Sequence, residues 1–249
     1  MNISSDKIAL ILAAGKGKRM KSDLPKVLQK INGRYVVDYV IDSARQAGIN
    51  RQILVIGHQA DRVEEALKDR RVQFALQSEQ NGTGHAVMMA RPLLDSFDGD
   101  LVVLCGDMPL VKADTIIKMM EERHRLNAAA VVLTVVMDDP GSYGRIVRDN
   151  SGMLEAIVEF RDASDEIRAI KEVNTGAYCF DWKKLKAILN QLSDKNDQKE
   201  YYLTDSIAIL VGQNERVGAL VASDPNEGLG VTSADDLNRL EMIIKRGTS

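Results

Sequence analysis

The chain has 249 residues, 45% of them hydrophobic and 28% charged, and a formal net charge of −3. That length and apolar content support a sizeable buried core, while the slightly acidic balance excludes the basic footprint of a nucleic-acid or anionic-membrane binder. No apolar run reaches membrane-spanning length, and the opening MNISSDKI lacks the charged-then-apolar layout of a secretion signal, so a cytoplasmic protein is expected.

In chain order, the first half alternates. Short apolar runs bounded by polar or glycine residues predict strands over residues 7–13, 52–57, 72–76 and 101–105. Between them, helical periodicity covers about 35–47, 60–69, 84–94 and 112–126. Strands apolar on both faces, separated by helices, predict a parallel sheet covered on each side. In such sheets ligands bind beyond the carboxyl ends of the strands, where both the loop after Leu12 and the CGDMP segment fall.

The second half changes character. Strands are predicted over 128–137, 144–149, 153–160 and 172–181, turned by DDPGS and DNSG, with few helices between them. Helical patterns return at 182–192 and 203–213, followed by a strand at 216–223 and a terminal helix from about 233, with Ser233 as its N-cap. Cys105 and Cys179 lie in predicted strands and form no CxxC, so they read as buried free thiols. No repeat, low-complexity tract or linker interrupts the chain. The expectation is an α/β protein with a mixed, mostly parallel, Rossmann-like sheet. It is expected to be a single domain over 1–249: a nucleotide-type half (about 1–111), a more antiparallel half (about 112–230) and a C-terminal helix (about 233–246).

The loop after Leu12, AAGKGKRMKSDLPK, concentrates Lys16, Lys18, Arg19, Lys21 and Lys26 against one acid, Asp23. It is not a Walker A loop, which needs GxxxxGK[ST]. It also departs from the dinucleotide fingerprint, because Met20 stands where the third glycine packs helix on strand. What remains is a glycine loop whose backbone N–H groups can approach phosphate while the cations balance its charge. A solvated basic loop is the competing reading. Composition and periodicity reach only an α/β phosphate binder.

The segments LAAGKGKRM…LPKVL, LQSEQNGTGHA, CGDMPL, DDPGSYGRIV, IVEFRDAS, EVNTGAY and EYYLTD, in this order, extend the comparison over about residues 7–241. Together they resemble the nucleoside-diphosphate-sugar pyrophosphorylases. Within that family they are similar to the uridyltransferase domains of bifunctional bacterial N-acetylglucosamine-1-phosphate uridyltransferases/glucosamine-1-phosphate acetyltransferases. The resemblance implies a glycosyltransferase-A-type nucleotidyltransferase that transfers UMP from UTP to N-acetylglucosamine 1-phosphate, using magnesium. Its partners would be those small molecules, with no nucleic acid and no membrane.

By the same resemblance, Arg19, Lys26 and Asp107 are the catalytic phosphate- and metal-handling residues. Lys16, Lys18 and Lys21 are left as mostly solvated. The nucleotide would lie against Leu12, Ala13, Ala14, Gly15, Gln77, Gly82, Thr83, Cys105 and Gly106, with Gln77 complementing the uracil edge. Thr83 also reads as a plain helix N-cap, and Asp107 as a turn cap before Pro109. The sugar would meet Gly144, Glu159, Asn174 and Thr175, with EYYLTD closing the acetamido side. Gln80 and His85 sit nearby without a separate catalytic role, while His58 and His124 read as surface or structural residues.

Two departures stand out. The bifunctional proteins carry hexapeptide repeats for acetyl transfer, and these 249 residues contain none, so no acetyl transfer from acetyl-CoA is expected of them. The family also has an Asn as second metal ligand where this chain has Thr232, and a hydroxyl is a poorer magnesium ligand than an amide carbonyl. Transfer to another sugar 1-phosphate, or a catalytically weak sugar-nucleotide sensor, are the alternatives that remain.

Overall fold

The computed structural model describes residues 6–20 and 22–247; Met1–Ser5, Lys21, Thr248 and Ser249 lie outside the described residues, as does the side chain of Lys18. The strands of the first half are β1 (Asp6–Leu12), a two-residue hairpin β2 (Lys30–Ile31) and β3 (Arg34–Tyr35), β4 (Arg51–Ile56), β5 (Gln73–Leu76) and β6 (Gly99–Cys105). Its helices are α1 (Val36–Gln46), α2 (Ala60–Leu67), α3 (Thr83–Ala90) and α4 (Ala113–Leu126). The second half supplies β7 (Ala130–Val136), β8 (Arg145–Arg148), β9 (Leu154–Val158), the short α5 (Asp165–Arg168) and β10 (Glu172–Asp181). The chain continues through α6 (Trp182–Ile188), α7 (Asp205–Gly212), β11 (Val217–Val221) and α8 (Ala234–Gly247).

The main sheet runs β11-β7-β10-β6-β1-β4-β5, with the β8–β9 hairpin branching from β10. β1 pairs in parallel with β4 and β6, β4 with β5, and β7 with β11, whereas β10 is antiparallel to both β6 and β7. The sheet is therefore mixed and mostly parallel, and its antiparallel strands belong to the second half, as the sequence predicts. Because β10 runs against its neighbours, its first residues, not its last, reach the edge where β6 and β7 end.

Alternation along the central strands explains why they are apolar throughout. Ile8, Leu10, Leu101 and Val103 face one layer with α3, α6 and α7; Ala9, Ile11, Val102 and Leu104 face the other with α1, α2 and α4. Both faces are covered, so neither can be polar. Trp182, fully buried, anchors the first layer and donates its indole N–H to the Leu94 carbonyl at 3.0 Å. A smaller cluster of Met20, Ile31, Val36, Val231 and Leu240 holds α8 against the opening loop and the β2–β3 hairpin. That cluster carries residues 230–232 to the carboxyl end of β6.

The differences from expectation are local. The pattern over 84–94 is helical only to Ala90 and tightens into a 3-10 turn at Arg91–Leu94, where Pro92 has no N–H to give. The β2–β3 hairpin is too short to show a period. α5 was not expected either; Ser164 caps it by accepting the Ile167 N–H at 3.3 Å. Ser233 does cap α8: its hydroxyl accepts the Asp236 N–H at 3.2 Å and donates to the Asp236 carboxylate at 2.9 Å, a reciprocal capping arrangement.

Candidate active site

Two clefts open at the carboxyl ends of β1 and β6. The first, about 460 Å3, is lined by the Leu12–Gly17 loop, Lys26, Gln77, Gly82 and Thr83, together with Cys105, Asp107 and Glu200. The second, about 740 Å3, shares Cys105 and Asp107 and adds Arg19, Tyr143, Thr232, Asp236 and Arg239. The wall between them is the end of β6.

The opening loop is held by sheet-like bonds continued past β1. Ala13 donates to the Val55 carbonyl at 2.8 Å, Gly106 to that of Leu12 at 2.9 Å, and His58 to that of Ala14 at 3.2 Å. The loop is thus fixed on both sides while its cleft side stays open. Lys26 sits in a 3-10 turn entered through Pro25, and its ammonium forms an ion pair with the Asp107 carboxylate. Burial pulls the Lys26 ammonium down, but Asp107 more than offsets this, so it is held above its usual value and stays charged.

The base-side wall is built by hydrogen bonds within residues 77–85. The Gln77 amide donates to the Gly82 carbonyl at 3.0 Å, and the Gln80 amide to that of Gln77 at 3.0 Å. His85 Nδ1 lies 3.0 Å from the Glu79 carbonyl, which gives it a bracing position in the loop. The N-cap of α3 is Gly82, with φ +102°, and Thr83 is the first helical residue. The expected N-cap role for Thr83 is therefore corrected: its hydroxyl accepts the Leu203 N–H at 3.0 Å instead. Tyr201 donates to the Asn81 carbonyl at 2.8 Å and accepts from Gly84 at 2.7 Å, so residues 201–203 lie alongside the 81–84 loop. A Cβ on Gly82 would meet the Tyr201 carbonyl oxygen at 2.5 Å, and only glycine permits that approach.

A third group lies behind Cys105. Gly144 accepts the Asn174 N–H at 2.9 Å, and Glu159 stands beside Gly144 and accepts the Thr204 hydroxyl at 3.1 Å. Burial pushes the Glu159 carboxyl above the usual glutamate range, with Asp205, Asp162 and Glu200 adding to the effect against the Thr204 bond. Asn174 Nδ2 donates to the Tyr178 hydroxyl at 2.7 Å. Gly144, Glu159 and Asn174 are brought together here, but neither cleft is lined by them.

Thr175 is not directed to that group through its side chain. The register of β10 against β7 shifts between Asn174 and Tyr178, and Thr175 is buried in this bulge. Its hydroxyl donates to the Leu133 carbonyl at 2.8 Å and accepts the Ala177 N–H at 3.2 Å, so it serves the bulge. If the sugar meets Thr175, as the resemblance implies, it does so without a free hydroxyl.

Other placements also refine the sequence reading. Arg19 faces the second cleft, not the first, while Lys16, expected as solvated, is exposed on the wall of the first. Glu200, from the EYYLTD motif, lines the first cleft, so that motif serves both regions. Cys179 is fully buried, whereas Cys105 is only partly so and borders both clefts. Its surroundings, burial first and the nearby Asp107 carboxylate next, push the Cys105 thiol up to about 12, which favours the neutral thiol. His124 is structural: its Nε2 lies 2.7 Å from Asp100, a fully buried carboxylate that also pairs with Arg123.

Metal-ligating capacity centres on Asp107. Among the described residues no three His, Cys, Asp or Glu side chains converge. A magnesium ion needs only one or two protein carboxylates, with phosphate oxygens and water completing its octahedron. Asp107 is a hard oxygen donor beside two open clefts and already holds a positive group, so its chemistry fits. Thr232 stands on the same wall, and Val231 donates to the Asp107 carbonyl at 2.9 Å. The Thr232 hydroxyl, however, donates to Asp236.

The MobA-like NTP transferase domain family matches residues 9–175. The chain is 45% identical over 239 residues to the bifunctional protein GlmU of Clostridium beijerinckii, covering 96% of this chain and 52% of that protein. It is 44% identical over 239 residues to the bifunctional protein GlmU of Bacillus velezensis, with the same coverage of 96% and 52%. Against that of Clostridioides difficile it is 43% identical over 238 residues, 96% of this chain and 51% of that one. The chain spans about half the length of the curated relatives it matches.

Proposed function

Because the chain belongs to the MobA-like NTP transferase domain family, we propose that it transfers UMP from UTP to N-acetylglucosamine 1-phosphate, yielding UDP-N-acetylglucosamine and pyrophosphate. The observation that carries this reading is the Lys26–Asp107 ion pair, in which Asp107 borders both clefts and Lys26 borders the first beside the glycine loop.

In this reading the sugar phosphate oxygen attacks the α-phosphorus of UTP, a new P–O bond forms, and the bond to pyrophosphate breaks on the opposite side. The nucleophile is already an anion, so no general base is needed. The protein must align two polyanions and absorb their charge. The backbone of Leu12–Gly15 and the Gln77–Thr83 wall orient the nucleoside, Gln77 and the backbone beside it reading the uracil edge. Lys26 meets phosphate from the first cleft and Arg19 from the second, where pyrophosphate would depart. Gly144, Glu159 and Asn174 provide directional partners for the sugar. Magnesium, held by Asp107 when bound, would supply additional charge neutralisation; Thr232 is a poorer second ligand than an amide carbonyl would be, and its hydroxyl donates its proton to Asp236.

The test is pyrophosphate release over a panel of nucleoside triphosphates and sugar 1-phosphates with magnesium. UTP with N-acetylglucosamine 1-phosphate should be much the fastest pair. Preference for another triphosphate would overturn the assignment of the 77–83 wall, and preference for another sugar would leave the chemistry and move the substrate.

The partly buried Glu159 carboxylate gives a second, separable result. Glu159 has its folded-state value raised, so its ionisation opposes folding. That cost is absent below the unfolded-state value and is fully present once pH rises through the folded-state value. Glu159→Gln should therefore raise the melting temperature at neutral pH and leave it unchanged in acid, at about 2–4 °C per kcal/mol regained for a chain of this size. Sugar-phosphate turnover should fall in the same variant. Melts recorded across pH decide it: equal melting temperatures at neutral pH would mean the Glu159 charge is not penalised.

A further inference from the structure

The sequence singles out Asn174, but the residue that controls its amide lies four positions on. Asn174 Oδ1 accepts the Gly176 N–H at 2.9 Å, which fixes which end of the amide is oxygen. Its Nδ2 then donates to the Tyr178 hydroxyl at 2.7 Å. Both ends of the amide are held, and the plane of the group is set. The Tyr178 ring is buried and stacked on Phe180, with centroids 5.3 Å apart and planes inclined by 19°. Its hydroxyl has no freedom to follow a moving partner.

This clamp uses the chain geometry of the bulge. β10 has more residues than β7 between the pairs Asn174–Thr134 and Tyr178–Val132, and Gly176 absorbs the excess at φ +83°. The extra length brings the Tyr178 hydroxyl back to Asn174. An Asn amide so held keeps one N–H and one carbonyl lone pair for a ligand. Those complement the C=O and N–H of a second amide. A 2-hydroxyl carries its donor and acceptor on one atom and cannot span both ends of the amide as a second amide does. A site organised to hydrogen-bond a substrate group discriminates strongly against an analogue that lacks it.

The geometry points to Tyr178 as a positioning residue: by locking the Asn174 amide it makes the sugar subsite select a 2-acetamido over a 2-hydroxy sugar 1-phosphate. This rests on the reading given under Proposed function and names the residue behind its sugar preference. Tyr178 itself touches no substrate; it acts through Asn174.

The experiment compares wild type, Tyr178→Phe, Asn174→Ala and the double variant. Each is assayed with N-acetylglucosamine 1-phosphate and glucose 1-phosphate at saturating UTP. Tyr178→Phe keeps the ring and its stacking. It should raise KM for the acetamido sugar by about 10-fold, the size of one buried hydrogen bond, with kcat and the KM for UTP within about two-fold. Preference over glucose 1-phosphate should fall by a similar factor. In the Asn174→Ala background the same change should add nothing, whereas a purely structural role for Tyr178 would persist there. Unchanged sugar KM and preference in Tyr178→Phe, or full additivity in the double variant, overturns the proposal. If wild type accepts no sugar 1-phosphate, the functional reading fails and the Asn174 side-chain amide decides the matter by NMR. Wild-type shift and exchange protection of its Nδ2 protons in Tyr178→Phe would sink the positioning role, and their loss would uphold it.

Discussion

Asp107→Ala is expected to reduce the proposed uridylyl transfer by more than about 10³-fold at saturating substrates, without rescue by added magnesium. Asp107 follows the end of β6 and borders both clefts, so whatever charge it organises is shared by the incoming and leaving groups. Its loss acts twice. It removes the carboxylate suited to a metal, and it leaves the partly buried Lys26 ammonium without its partner. With that attraction gone, burial, the largest influence on Lys26, is no longer offset by Asp107 and should pull the ammonium down. Folding should be preserved, because the bond that ties this segment to residue 231 uses the Asp107 backbone carbonyl and not the carboxylate. Steady-state kinetics beside a thermal melt provide the check. Turnover within about 10-fold of wild type, with the melt unchanged, would remove Asp107 from the reaction.

The second large effect is structural in origin. Gly82→Ala puts a Cβ at a backbone with φ +102° and 2.5 Å from the Tyr201 carbonyl oxygen, with the Glu200 Cβ and Tyr201 N each at 2.9 Å. Backbone cannot yield as a flexible side chain would. The loop must leave residues 200–203, breaking the Gly84–Tyr201 and Tyr201–Asn81 bonds. The expected cost is about 1–3 kcal/mol of stability, with a rise in KM for UTP of at least roughly 10-fold if the wall is displaced by an ångström. Gly141→Ala is the control: its φ is also positive at +47°, but a Cβ there meets nothing within 4 Å. Urea titration and nucleotide binding measured on both variants separate backbone strain from collision. Equal losses in the two would mean that the approach of Tyr201 is unimportant.

The parts that sequence revealed are those fixed by local chemistry. β10 was legible to the residue because its apolar run is bounded by Glu172 and Asp181, and the opening loop because glycines and cations are concentrated within a few positions. The cover of helices on both faces followed from strands with no polar face. What could not be read depends on register and direction. Thr175 looks like a polar strand-end residue until the shifted pairing of β10 turns its hydroxyl toward Leu133. Arg19 lies in the same loop as Lys26, yet a 3-10 turn at Lys18–Met20 sends it to the other cleft. Thr232 was marked by its position, but its bond to Asp236 depends on where α8 begins. Tyr178 carried no signal, since an aromatic residue in an apolar strand is ordinarily core.

The short stretch at 201–204, which turns into α7 at Thr204, has a thermodynamic meaning of its own. Within four residues it bonds to Asn81, Thr83 and Gly84 on the nucleotide wall and, through the Thr204 hydroxyl, to Glu159 on the sugar side. A ligand that steadies one end steadies the other, because the connection is a single short piece of backbone. Such a coupling is reciprocal by thermodynamic linkage. In the proposed reaction, by whatever factor UTP changes the hold on the sugar phosphate, the sugar phosphate changes the hold on UTP by the same factor, so each substrate acts as an effector of the other.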